Sequence, residues 1–298
     1  MEYHKPVMLQ ECMESLNIQP DGVYVDVTFG GGGHSREILK RLGEHGKLFA
    51  FDLDDDAIYN KIEDKRFTLI QANFRHIKRF LRLHNISKID GVLADFGVSS
   101  HQIDAADRGF SIRYNADLDM RMQQTQMLTA KQVINTYTAE QLQNILGFYG
   151  EVPNARTLAN AIVQEREQNE IKTTMQLVDI CLNYAKGKEH KYLAQVFQAI
   201  RIEVNDELNA IKDFLQQSLE LLNIGGRLVT MSYHSLEDRL VKNFIKTGNT
   251  DGIVQKDFYG KIDRYFKLIN KKPIEATKEE IENNSRARSA KLRVAEKL

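Results

Sequence analysis

The chain has 298 residues, 42% of them hydrophobic, and Lys plus Arg balance Asp plus Glu at 41 each. This length predicts one large or two modest domains with a buried core, and zero net charge speaks against strong non-specific nucleic-acid binding while allowing a local basic face. No apolar run approaches the roughly 18 residues of a membrane span, the start of the chain lacks an apolar leader, and Cys12 and Cys181 lie far apart without ligand spacing, so a cytoplasmic protein with reduced, buried thiols and no membrane contact is expected.

The first element is a β-branched strand over 23–28. It runs into Thr28-Phe29-Gly30-Gly31-Gly32-Gly33-His34-Ser35 and a helix over 34–43. A second strand over 47–52 ends on Asp52. Glycines permit a sharp turn at positive φ and close approach of a ligand to the main chain. A carboxylate about 20 residues further on sits where a nucleotide-type βαβ unit holds a ribose. The unit therefore predicts an adenosyl cofactor, serving a transferase or a dehydrogenase. Dinucleotide sites space their glycines as G-x-G-x-x-G and seat pyrophosphate on the next helix. Here the glycines are contiguous, and Arg36 stands where a small residue is needed. S-adenosylmethionine (SAM) carries no phosphate and fits better. The bland alternative, a tight turn without ligand, leaves four consecutive glycines unexplained.

A helix over 54–63, a strand over 66–70, a helix over 74–85 and a strand over 89–95 follow. Such alternation predicts an α/β fold with a parallel sheet. Phe74 either stacks on an adenine or packs in the core. The strand 89–95 releases Asp95 into Phe96-Gly97-Val98-Ser99-Ser100-His101-Gln102. Carboxyl ends of strands in doubly wound sheets hold ligands, so this loop is read as accepting hydrogen bonds from a substrate amine rather than as an ordinary polar turn. Arg75, His76, Lys78, Arg79, Arg82 and His84 crowd one segment, which reads as a solvated face.

From 106 to 203 the texture changes to amphipathic helical windows. Leu142, Ile145, Leu146 and Tyr149 form one face, Leu158, Ile162 and Val163 another, and Leu177, Val178, Cys181 and Leu182 a third. This predicts an inserted all-helical domain, with the sheet domain built from 1–105 and 204–298. Arg108-Gly109-Phe110-Ser111 and Leu118-Asp119-Met120-Arg121-Met122 border it; Arg108, Asp119 and Arg121 either receive a looped-out base and its phosphates or form a structural Arg–Asp pair. One long helix is predicted from Val196 through Ile200, Val204, Leu208, Ile211 and Leu215 to Leu222.

A fifth strand, 226–232, leads into Tyr233-His234-Ser235-Leu236-Glu237-Asp238-Arg239. Ser235 with Asp238 fits a capping box; Tyr233 and His234 are left for chemistry. His34 and His234 lack ligand-spaced partners, so no metal is expected. The end, with Arg286, Arg288, Lys291, Arg293 and Lys297, reads as an edge strand with a charged outer face.

Taken in order, the glycine stretch, Asp95–Ser100, Arg108–Ser111, Leu118–Met122, Phe197-Gln198-Ala199-Ile200-Arg201-Ile202, His234–Arg239 and Arg286–Arg293 resemble the bacterial ribosomal RNA small-subunit methyltransferase H family. The match covers nearly the whole chain. The resemblance implies a class I SAM-dependent, Rossmann-like methyltransferase sheet interrupted by a helical substrate-recognition domain. It implies direct in-line transfer to the N4 amine of a cytidine in the decoding region of 16S rRNA, in the small ribosomal subunit. It further implies that Gly32, Gly33, His34, Asp52, Phe74, Asp95 and Gln102 contact the cofactor. The chain departs from the family at Phe96, His101, Tyr233 and Ser285, usually leucine, proline, phenylalanine and proline. Asp95, Ser99, Ser100 and His234 are the candidates for orienting the amine or removing its proton. A DNA or small-molecule amine methyltransferase would share the cofactor unit but lack the match across the insertion; a non-catalytic RNA-binding factor would be free to lose Asp52 or the glycines.

Overall fold

The structure, a computed structural model, describes residues 6–99, 102, 105, 107–254, 256, 260 and 263–298. The chain forms two compact units, one of Met1–Gly97 with Leu208–Leu298, the other Val98–Glu207.

The first unit is an α/β sheet. Strands β1 (Val23–Asp26), β2 (Lys47–Asp52), β3 (Phe67–Gln71), β4 (Ile89–Asp95) and β5 (Leu222–Ser232) are parallel. Beside β5 run β8 (Lys291–Lys297) and β6 (Phe266–Leu268), each antiparallel to its neighbour, giving the order β3-β2-β1-β4-β5-β8-β6. The two-residue β7 (Ile274–Glu275) also pairs with β8. A mainly parallel sheet with this order agrees with the Rossmann-like architecture that the resemblance implies. Side-chain alternation splits its core into two layers. Val25, Phe49, Phe51, Val92, Ala94 and Leu228 meet one apolar layer together with Ile77 and Leu81 of α3 (Ile77–Leu83), Phe214 and Leu215 of α9 (Glu207–Leu221), and Val241 and Phe244 of α10 (Ser235–Thr247). Tyr24, Leu48, Ala50, Leu93, Val229 and Met231 meet the other, with Cys12 and Leu16 of α1 (Leu9–Leu16) and Ile38 and Leu39 of α2 (Gly33–Arg41).

Four expectations need correction. The segment expected as a helix over 54–63 is a 3-10 turn, Asp55–Asn60, started by the Asp54 side chain accepting from the Asp56 N–H at 3.2 Å. Ile58 and Tyr59 are 54% and 84% exposed, so no apolar face exists to hold an α-helix. The helix over 74–85 is likewise shortened, with Phe74–His76 in 3-10 form before α3. The long helix breaks at Asp206, whose φ of 50° is left-handed; its N–H closes the end of α8 (Glu189–Asn205) on Glu203 and Ile202 carbonyls, and α9 starts afresh. Leu222 then belongs to β5, not to a helix. The last strand is not an edge: β6 and β7, too short for any sequence pattern, pair with its free side.

The second unit is helical, with α4 (Ala130–Thr136), α5 (Ala139–Phe148), α6 (Ala155–Gln168), α7 (Thr174–Leu182) and α8. Leu142, Ile145, Leu146, Leu158, Ile162, Leu177, Val178 and Cys181 are buried in a core of its own, with Val196, Phe197 and Ile200. Three of these helices start on a Thr-x-x-Gln capping box: Thr129 with Gln132, Thr138 with Gln141, Thr173 with Gln176. Gln132, Gln141 and Gln176 therefore do helix-start work. Among the described residues, no helix is long and apolar enough to cross a membrane.

Candidate active site

From β1 the chain builds β2 and β3 on one side, then crosses back to place β4 on the other. A crevice opens at such a switch point, outside the carboxyl ends of the strands. Three carboxylates stand at those ends: Asp26 on β1, Asp52 on β2 and Asp95 on β4.

The glycine turn leaves β1 with Gly30 at φ 50° and Gly32 at φ 74°. Both are in the region that favours glycine. A Cβ on Gly32 would come within 2.8 Å of the Phe29 ring, and one on Gly33 within 2.8 Å of Pro6. The turn is braced from several sides. Asp52 accepts the Gly30 N–H on Oδ2 at 2.6 Å and the Asp54 N–H on Oδ1 at 2.9 Å. Asn60 donates to the Gly30 carbonyl at 3.1 Å. Arg36 donates to the Gly31 carbonyl and, at 3.3 Å, to that of Asn60. Asp26, 1% exposed, accepts the Ser35 hydroxyl at 2.7 Å and the Thr28 N–H at 3.2 Å.

Asp95 is tied to the same turn, since its N–H donates to Thr28 Oγ1 at 2.7 Å. Its carboxylate accepts the Tyr233 hydroxyl on Oδ1 at 2.7 Å. Burial raises the pKa of Asp26, Asp52 and Asp95 each to about 6. Tyr233 is pushed up by burial and by the Asp95 charge, so it stays a donor. Three carboxylates around one crevice favour a cation. A pyrophosphate would be repelled, and Arg36 spends its guanidinium on backbone carbonyls. SAM, a net cation, brings a sulfonium, an ammonium and a ribose diol beside one carboxylate, and these acceptors suit its cationic and hydroxyl groups.

The other expected contacts are placed as follows. His34 is buried; its Nε2–H donates to the Val7 carbonyl at 3.0 Å, and burial lowers its pKa. The ring is therefore neutral, with its proton on Nε2, and fastens the segment before α1 onto the first turn of α2. Phe74 is half-buried, with its ring centroid 5.7 Å from Phe214 and 6.1 Å from Phe96. His234 is the N-cap of α10, and Glu237 accepts the Tyr233 and His234 N–H groups at 2.8 and 3.3 Å. The capping box thus sits one residue earlier than the Ser235–Asp238 pair that the sequence suggests; Asp238 instead pairs with Arg293 at 2.7 Å. His234 Nε2 lies 3.1 Å from the buried Glu237 carboxylate.

Within the helical unit, Ser99 and Gln102 hold each other: the Ser99 N–H donates to Gln102 Oε1 at 3.0 Å and the Gln102 N–H to Ser99 Oγ at 3.2 Å. Ser100 and His101 lie outside the described residues. Arg108 donates to the carbonyls of Arg121 and Met122 at 3.0 and 3.1 Å. Arg121 grips Asp119 with two nitrogens, at 2.9 and 2.7 Å, and donates to the carbonyls of Gln124 and Gln126. These three side chains thus bind their own loop.

Asp26, Thr28, Arg36, Asn60 and Tyr233 carry the site as much as the expected residues do. Thr28 and Tyr233 stand inside the motifs quoted above. Asn60 gave no signal, because its contact closes over 30 residues.

A sequence model of the MraW methylase family matches residues 1–298. The chain belongs to this family. A relative from Christiangramia forsetii, named ribosomal RNA small subunit methyltransferase H, is 59% identical and covers 100% of this chain and 99% of its own. Relatives of the same name from Flavobacterium johnsoniae and Cytophaga hutchinsonii are 56% and 57% identical, over 100% and 99% of this chain and 99% of their own. As a family member the chain is a SAM-dependent methyltransferase.

Proposed function

We propose that this chain methylates the N4 amine of a cytidine in the decoding region of 16S rRNA, within the small ribosomal subunit. The observation that carries the chemistry is the Tyr233–Asp95 pair at the end of β4, 2.7 Å apart and tied through Thr28 to the glycine turn. The full-length likeness to small-subunit rRNA methyltransferases supplies the substrate class.

SAM supplies an electrophilic sulfonium methyl. Asp52 holds the ribose diol, and the turn at Gly32 and Gly33, with His34, Phe74 and Gln102, frames the rest of the cofactor. The N4 lone pair of cytosine is delocalised into the ring, so the amine is a poor nucleophile. A fixed acceptor for an amine hydrogen favours the pyramidal geometry and stabilises positive charge as it develops. Tyr233 occupies Asp95 Oδ1 and leaves Oδ2 as that acceptor. With a pKa of about 6, Asp95 is ionised at neutral pH. Ser99 and Ser100 supply further acceptors. His234 takes the proton after transfer or stacks on the base. The helical domain, 106–203 with the loop that Arg108, Asp119 and Arg121 stiffen, recognises the folded RNA by shape.

The test is methyl transfer from labelled SAM to small subunits, free rRNA and DNA in parallel. Label in small-subunit rRNA is expected. Label in DNA alone refutes the proposal.

A further inference from the structure

The net charge of the chain is zero, yet one surface of the sheet unit carries only cations. Arg239, Lys242 and Lys246 lie on α10 at spacings of three and four, so they share one face of the helix. All three are exposed. Like charges four apart cost a helix stability, and this face offers no compensating acid: Asp238 is turned to Arg293 on β8. Across the groove from this stripe is Lys271, followed in the chain by Lys272, both exposed. Lys242, Lys246, Lys271 and Lys272 have no ion-pair partner among the described residues. Lys242, Lys246 and Lys271 rim a shallow groove floored by Ile245, Leu268 and Val294.

The strip has a direction. Helix α10 starts directly after β5 leaves the sheet at Ser232, beside the Tyr233 that holds Asp95. At ~1.5 Å rise per residue, Arg239, Lys242 and Lys246 lie roughly 6, 10 and 16 Å along the helix from Ser235. The pairing of Ile274 with Leu292, and of Ser232 with Lys291, brings the segment after Lys272 level with the same carboxyl end of β5. A line of unpaired cations thus runs from the active-site end of the sheet away from it.

We infer that Arg239, Lys242, Lys246 and Lys271 form a phosphate-backbone contact for the single-stranded rRNA flanking the target nucleotide. This rests on the rRNA reading above. Such contacts carry affinity and register, not sequence, and they complement a chain that has no net charge to attract RNA from afar.

The experiment compares the full chain with a Lys242→Gln, Lys246→Gln, Lys271→Gln variant. Small-subunit binding is measured over a salt series, alongside SAM affinity and thermal stability. Each lost phosphate contact removes about 0.7 from the slope of log affinity against log salt, so the slope falls by about 2. Subunit affinity at low salt drops roughly tenfold or more, while SAM affinity and Tm stay at wild-type values. An unchanged slope and affinity overturn the inference. So does a triple variant that keeps subunit binding but loses binding to phosphatidylserine vesicles, which assigns the strip to a membrane surface. If the wild-type chain neither binds nor methylates small subunits, the rRNA reading itself fails, a result seen before the variant is considered.

Discussion

On the function proposed, Asp52 both braces the turn and holds the ribose, and substitution separates the two. Its carboxylate accepts the N–H of Gly30 at 2.6 Å and of Asp54 at 2.9 Å, one on each oxygen. Alanine leaves both N–H groups without their acceptor. For partly buried donors the cost is ~1 kcal/mol each, toward the low end of the range for unsatisfied groups. Roughly 2 kcal/mol corresponds to a Tm loss of about 3 °C for a chain of this size. Asparagine keeps one carbonyl acceptor and sheds a buried charge whose pKa is raised to about 6, so its Tm falls less than that of alanine. The ribose contact is charge-assisted and contributes about 1.5–3 kcal/mol, so SAM affinity falls roughly tenfold to 150-fold in either variant. Calorimetric titration and thermal melts read the two effects separately. A cofactor analogue with deoxyribose closes a double-mutant cycle: it binds wild type weakly and loses little more in Asp52→Asn. If Asp52→Asn binds SAM within about twofold of wild type while its Tm falls, Asp52 braces the turn and does not hold the ribose.

Four further predictions concern the same crevice. Burial holds Asp26, Asp52 and Asp95 near 6, above the ~3.9 of a free aspartate; the folded protein therefore binds more protons than the unfolded chain between about pH 4 and 6, and ligand-free stability falls as pH rises through that window. Melts of Asp26→Asn show a flatter dependence there, and an identical dependence counts against the burial argument. Because a cationic cofactor favours the ionised carboxylates, SAM binding at pH 6 releases protons, seen as a heat that differs between buffers of unlike ionisation enthalpy; no difference means the carboxylates do not face the ligand's charge. Tyr233→Phe removes the hydrogen bond that favours ionised Asp95, so the acid limb of the single-turnover rate moves to higher pH, and a limb that stays in place shows that Asp95 is not the group it reports. Gly32→Ala forces a Cβ into the left-handed region at about 1–2 kcal/mol and against the Phe29 ring, so SAM binding drops with the fold retained; wild-type binding by Gly32→Ala removes the turn from the site.

What could be read in advance follows from the range of each interaction. The five parallel strands announced themselves because both faces are buried, as in Val92-Leu93-Ala94, and runs of that kind need no partner to be recognised. The helices of the second unit were legible from apolar residues repeating at three and four, which are buried in its core. Strands β6 and β7 were invisible: three and two residues carry no period, and they exist because β8 offers them an unpaired edge. The break at Asp206 hid inside an uninterrupted apolar pattern, where only backbone angle distinguishes one helix from two. In the site, the glycines, Asp52 and Asp95 carried local signatures. The Arg36–Asn60 brace and the His34–Val7 bond join residues 24 and 27 positions apart and had none. Sequence carries no sign of the burial at the end of β4 that shifts Asp95 to about 6.

The central claim is the identity of the methylated atom. Small subunits lacking the modification are incubated with the chain and isotopically labelled SAM, and their rRNA is digested to nucleosides for mass spectrometry. The account predicts label on a decoding-region cytidine, with the added methyl on the exocyclic N4. Label on a ring carbon, on a ribose oxygen or on another base contradicts it.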